Sequence, residues 1–145
     1  VGRLKFLLDM VETQEEVKTY VCCKQCYSPL ADAGNVFTVG GAEGTTGAYV
    51  NEHGIIHQTM TIREIHDRLL WYQGSPETRD SWFPGYAWTI AYCRRCHAHL
   101  GWMFTIASDN IEDVSEDRPD RFWGLTQASI TMHDKLLPAT NGTSA

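Results

Sequence analysis

Apolar residues first recur at Leu4, Leu7, Leu8 and Val11, with Lys, Glu and Gln on the other face. That spacing predicts an amphipathic helix over residues 4–20, with Val17 continuing the stripe less cleanly. After Cys26 the periodicity changes. Gly40, Gly41, Gly44 and Gly47, then Asn51 and Gly54, punctuate a turn-rich stretch. Short β-like runs surround it at 36–39, 48–50 and 55–62. Over 61–72, Ile62, Ile65, Leu69 and Leu70 fit a helix as well as a strand, and strand is preferred. Gly74-Ser75-Pro76 breaks the chain, and Pro84-Gly85 makes a turn. Aromatic and β-branched residues over 86–92, 99–106 and 122–130 predict three further strands. Many short strands between turn signals predict an all-β fold, preceded by one short N-terminal helix. The organisation is then a helical extension at 1–20, a β domain at 21–138 and a flexible tail at 139–145.

Composition narrows the function classes. The chain has 145 residues, 43% hydrophobic and 21% charged, which suits one globular domain. No apolar run approaches the ~20 residues of a membrane helix, and no secretory signal opens the sequence. The opening Val1 fits a piece of a longer chain. A net charge of -6 argues against nucleic-acid affinity, which needs a basic surface.

The five cysteines include two Cys-x-x-C pairs, Cys23/Cys26 and Cys93/Cys96. Two such pairs have the chemistry of a four-thiolate structural zinc site, closed to water. Disulfides and redox-active dithiols are the other readings. The long stretch between the pairs means that the ion would clamp distant parts of the sheet. Cys22 breaks the two-residue spacing and reads as a spare thiol. Around the second pair lie Trp82, Trp88, Trp102 and Phe104. They read either as core packing or as a rigid apolar box. Such a box holds a cation against ring faces, with Asp80 as the nearby acid. Alternatively it holds a small neutral ring whose polar edge meets backbone groups near Asp80-Ser81-Trp82.

The run WFPGYAW at 82–88, Cys93-x-x-Cys96, and then His99-Leu100-Gly101-Trp102-Met103-Phe104 resembles the thalidomide-binding (CULT) domain of the cereblon family, in its animal type. Ala48-Tyr49-Val50-Asn51-Glu52-His53-Gly54 and Phe122-Trp123-Gly124-Leu125-Thr126 extend the resemblance over roughly 21–131. It implies a β-tent, two antiparallel sheets pinned by one structural zinc on Cys23, Cys26, Cys93 and Cys96. It implies a cage of Trp82, Trp88 and Trp102 over Phe104, with Asn51, Asp80 and Ser81 also binding ligand. The implied ligands are cyclic imides, both glutarimide drugs of the thalidomide type and proteins whose C-termini have cyclised to an imide. Asn51 sits in a loop at 41–61 that orders over ligand in this family. His53, His57 and Ile90 would face recruited proteins. The implied role is a non-catalytic substrate-recognition module of a cullin–RING ubiquitin ligase, cytoplasmic and nuclear. Its adaptor docks through upstream regions largely absent here, and neither nucleic acid nor membrane is an implied partner. Three positions depart from the human type. Asp80 replaces a His, Arg79 an acid and Ile90 a Val, which leaves imide binding in place and changes the drug-dependent partners.

Other functions compete. A zinc-bearing methionine sulfoxide reductase needs a nucleophilic fifth thiol, and only Cys22 remains. A methyl-lysine reader would use the cage and Asp80. A plain zinc-stapled interaction module would keep its indoles in a closed core. His53, His57, His97 and His99 could replace a cysteine on the ion, although surface roles fit them better.

Overall fold

A Cys-x-x-C turn reverses the chain tightly, and two such reversals organise the fold. A computed structural model describes residues 16–40, 46–50, 56–107 and 112–137, with backbone alone at 46–50 and 56–57. Its strands are β1 (Glu16–Cys23), β2 (Pro29–Asp32), β3 (Thr46–Val50), β4 (Ile56–Ile62), β5 (Leu70–Glu77), β6 (Tyr86–Cys93), β7 (His99–Ile106), β8 (Arg121–Thr126) and β9 (Ile130–Leu137). They form a three-stranded sheet, β2-β1-β9, and a six-stranded sheet, β3-β4-β8-β7-β6-β5. Every strand pair is antiparallel. The all-β, two-sheet expectation holds, and the helical elements among the described residues are short 3₁₀ turns.

The helix expected over 4–20 is corrected where it can be seen. Residues 16–20 are the first part of β1, hydrogen-bonded to β9 from Glu16↔Leu137 onward. Val17, Thr19, Tyr20 and Val21 are β-formers, and the leucine stripe that suggests a helix stops at Val11. Residues 4–15 lie outside the described residues. β1 also runs across the boundary drawn at residue 21.

Three further differences follow from local chemistry. The run at 36–39 makes only an isolated bridge, Val36↔Ile62. Over 61–72 the chain is neither one helix nor one strand. β4 ends at Ile62, a 3₁₀ turn covers Asp67–Leu69, and β5 follows. His66 caps that turn, its Nδ1 accepting from the Arg68 N–H at 3.1 Å. Gly74-Ser75-Pro76 does not end β5. It shifts the register between Gln73 and Glu77 on an edge strand, where Pro and a positive-φ Gly are tolerated.

Alternation along the six-stranded sheet sends side chains to two faces. One face carries Ala91, Cys93, Trp123 and Leu125, packed with Val21, Leu30 and Ile130 of the small sheet. The other carries Tyr86, Phe104 and Phe122, covered by Phe37, Val39 and Phe83, with Trp82, Trp88 and Trp102 half-buried at its margin. Gly101 and Gly124 let β7 and β8 approach closely. A Cβ on Gly101, at φ 154°, would stand 2.0 Å from the Gly124 carbonyl oxygen. A Cβ on Gly124 would stand 3.0 Å from the Phe104 ring.

Candidate functional site

The two cysteine turns are built alike. The Cys23 N–H donates to the Ser28 carbonyl at 2.9 Å, and the Tyr27 N–H to the Cys23 carbonyl at 2.8 Å. The Cys93 N–H donates to the Ala98 carbonyl at 2.9 Å, and the His97 N–H to the Cys93 carbonyl at 2.8 Å. Tyr27 and His97 take matching positive φ values of 62° and 65°. In both turns the backbone N–H groups of the next residues point at the first sulfur. Gln25 and Cys26 serve Cys23, and Arg95 and Cys96 serve Cys93.

These turns bring the four cysteines together. Their sulfurs all lie within 4.8 Å of one another, at 3.5 Å for Cys23–Cys96 and 3.7 Å for Cys26–Cys93. A tetrahedral ion with ~2.3 Å zinc–sulfur bonds has sulfur–sulfur edges of about 3.8 Å. The donor set therefore fits zinc, and N–H groups aimed at sulfur suit thiolates. In the protein without metal, burial pushes the Cys23 thiol up to about 12 and raises Cys93 as well. At Cys26 burial acts upward too, but the Ser28 N–H and neighbouring thiols leave it lowered. Buried sulfurs that resist ionising alone need a cation to become thiolates. Cys22 is buried outside the cluster, its sulfur 3.9 Å from the Tyr20 carbonyl.

On the opposite face of the sheet lie the three tryptophans and Phe104. The Trp82 and Trp102 rings meet with centroids 4.8 Å apart and planes at 75°. Trp88 pairs across the strands with Phe104, and Ile90 with Trp102, so all four side chains share one face. The Trp88 Nε1 donates to the Arg79 carbonyl at 2.8 Å, tying the 78–82 loop to β6. Asp80 takes φ 56°, a left-handed conformation that Asp tolerates, and it turns the chain into Ser81-Trp82. The Ser81 hydroxyl donates to the Phe83 carbonyl at 3.1 Å and accepts from the Phe83 N–H at 3.3 Å, which fixes the turn. Phe104 lies 1% exposed beneath, stacked on Phe122 at 5.1 Å. Asn51 and His53 lie outside the described residues, and His57 is described by backbone only, opposite Tyr49. His97 and His99 are exposed and stand outside the sulfur cluster.

Two sets of residues were missed from sequence. Phe83 and Phe122 belong to the aromatic cluster on which the tryptophans pack, Phe83 meeting Phe104 and Phe122 edge-on at 4.9 and 5.0 Å. Their only signal was the WFPG and FWG context. The likeness of the two turns was also missed, although Cys-x-x-Cys-x-x-x-Leu occurs at both 23–30 and 93–100, with Leu30 and Leu100 buried.

Comparison with known proteins fits this geometry. A family model described as "Yippee zinc-binding/DNA-binding /Mis18, centromere assembly" matches residues 19–132. The chain belongs to the Yippee-Mis18 family. The four cysteines are its zinc site, holding one structural ion. The chain is also 40% identical over 130 residues to protein cereblon of Danio rerio, covering 90% of this chain and 27% of that protein. For protein cereblon of Gallus gallus the identity is 43% over 131 residues, covering 90% and 26%. The chain thus spans about a quarter of the length of these relatives. A crystal structure of a Mis18 "Yippee-like" domain aligns with 80% of this chain and 95% of its own, at 10% identity and a TM-score of 0.48.

Proposed function

We propose that this Yippee-Mis18 member is a CULT-type ligand- and degron-binding module. It binds cyclic imides in a cage of Trp82, Trp88 and Trp102 and serves, within a longer protein, as the substrate-recognition part of a cullin–RING ubiquitin ligase in cytoplasm and nucleus. The observation that carries the reading is the pair of indoles at 4.8 Å and 75°. Two perpendicular ring faces make a corner, and Trp88, held by the Arg79 carbonyl, stands on the same sheet face. The ligand class comes from the resemblance to the CULT domain, and the cereblon relatives, matched along 90% of the chain, support that resemblance.

Physical chemistry favours an uncharged ring. An imide presents one N–H between two carbonyls and apolar methylenes, which suit indole faces and a backbone rim. Opening the ring creates a carboxylate, whose burial among indoles costs far more than that of the neutral ring. Asp80 at the rim adds a repulsive charge against the opened form, and its backbone carbonyl remains available to the imide. The module does no chemistry in this reading, since a four-thiolate zinc leaves no open position for water. DNA, named in the family description, suits a net charge of -6 poorly.

Titration of the zinc-loaded chain with glutarimide, read by tryptophan fluorescence, tests this. A saturable quench is expected. It should fall at least ~100-fold in affinity for Trp82→Ala, Trp88→Ala or Trp102→Ala, and for the hydrolysed ring. Equal affinity for closed and opened rings would refute the cage.

A further inference from the structure

The rings do not stop at the cage. Trp102 meets His99 at 5.1 Å, His99 meets Tyr92 at 5.5 Å, Tyr92 stacks on Trp71 at 4.5 Å, and Trp71 meets His97 at 5.9 Å. Register puts these strand residues on the cage's own face, through Ile90↔Trp102, Tyr92↔His99 and Trp71↔Tyr92. The row starts at the cage and ends at the second cysteine turn, whose Arg94 and Arg95 are exposed. The Tyr92 hydroxyl donates to Gln73 Oε1 at 2.6 Å, which fixes the stack. The Trp71 indole N–H is shielded from water and has no acceptor among the described residues.

An imide formed at a protein C-terminus has the rest of its polypeptide attached, and that segment must cross the surface beside the cage. We propose that the ridge of His99, Tyr92, Trp71 and His97 holds this upstream segment, and that Arg94 and Arg95 select acidic side chains at its far end. Resting on the imide reading, the inference adds the class of polypeptide preferred. Four ring-to-ring steps make a path on the order of 20 Å, about six extended residues at ~3.3 Å each. Flat rings accept a backbone with small or planar side chains, and two guanidiniums favour carboxylates.

The test compares three probes on the zinc-loaded chain. One is an N-acetylated aminoglutarimide. The second is a heptapeptide ending in that ring, with Asp and Glu at its first positions. The third carries Lys there instead. The acidic peptide should bind at least ~10-fold tighter than the bare ring, with the gain shrinking as salt rises, and the Lys peptide should show no gain. Trp71→Ala, and separately the pair Arg94→Gln and Arg95→Gln, should keep the bare ring's affinity and lose the gain. Equal binding of all three probes would overturn the ridge and leave the cage standing. Binding by none would overturn both. If Trp71→Ala also weakens the bare ring, the residue supports the cage, and the three probes on the unaltered chain decide.

Discussion

The two halves of the metal site share a backbone plan and differ in what they show to solvent. β1, its cysteine turn and β2 match β6, its cysteine turn and β7 in hydrogen bonds, in the positive φ after the second cysteine and in the bulge before the first. Each half adds a third strand led in by a 3₁₀ turn, Gln127–Ser129 into β9 and Asp67–Leu69 into β5. Even the tie to that turn repeats, as Lys24 N–H to the Ser129 carbonyl at 2.9 Å and Arg94 N–H to the Leu69 carbonyl at 3.0 Å. Counting from the first cysteine of each turn, Trp88 and Trp102 stand where the other half has Lys18 and Asp32. Those two form an ion pair at 3.0 Å. Gly101 stands where the other half has Ala31, and β7 has eight residues where β2 has four. The shared part is a metal clamp. The part found only once is a lengthened hairpin with large rings on its outer face.

If the clamp is shared, breaking either half has the same result. Cys23→Ser and Cys93→Ser are each expected to abolish tight zinc binding and to lower the melting temperature sharply, by the same amount. A structural zinc contributes on the order of 10 kcal/mol, comparable to the whole net stability of a domain this size. Metal content and circular dichroism measure this. A Cys23→Ser chain that kept its fold while Cys93→Ser lost it would show the halves to be unequal.

The next effect separates them. Gly101→Ala drives a methyl against the Gly124 carbonyl, backbone against backbone, so β7 and β8 must part. The expected loss is at or above the upper end of the usual ~0.5–3 kcal/mol, and glutarimide binding goes with it. Ala31→Gly at the matching position should cost only ~1 kcal/mol, from added chain entropy. Urea melts of both variants rank them.

The pH dependence sharpens the clamp itself. Without metal, a Cys23 thiol held near 12, against an ordinary ~8.5, stabilises the fold only while the unfolded chain also keeps its proton. Stability of the metal-free fold should therefore fall as pH rises above ~8.5. With zinc the sign reverses, because protons compete with the ion for sulfur, and stability falls on acidification. Melting temperatures across pH, with and without chelator, should converge in acid, where protons displace the ion, and separate as pH rises.

How far the sequence reaches follows the same division. Spacing alone located the four ligands, since zinc demands that spacing whatever the fold around it. The lengthened hairpin was legible from its dense aromatic and β-branched residues, and β6 and β7 lie close to where they were expected. The bare half was not. Val17 to Val21 sits behind a leucine stripe with helical spacing, and only pairing to β9, more than a hundred residues away, decides that it is strand. Thr126 to Ile130 reads as one strand because the three-residue 3₁₀ turn Gln127–Ser129 is too short, and without Gly or Pro, to signal a break. The ring ridge from Trp102 to His97 joins four positions on three strands and one in a turn, so no single window could reveal it.

The smallest predicted effect bears most directly on the two outer faces. Lys18 and Asp32 occupy the places of two walls of the proposed cage, with side chains 44% and 39% exposed. The Gly34 N–H and then Lys18 hold the Asp32 carboxyl below its ordinary range. Exposed pairs of this kind are screened by salt and contribute little to stability. Lys18→Ala is therefore expected to leave the melting temperature unchanged within error at moderate salt, and glutarimide affinity unchanged as well. Asp32→Ala would confound the comparison, because its carboxylate also caps the 3₁₀ turn through Gly34 at 2.8 Å. Trp88→Ala at the place matching Lys18 should abolish imide binding. Two substitutions at equivalent backbone positions, one silent and one disabling, would separate what the clamp requires from what the ligand requires. A measurable loss of imide affinity in Lys18→Ala would mean that the small sheet takes part in the site, and the division between clamp and reader would have to be withdrawn.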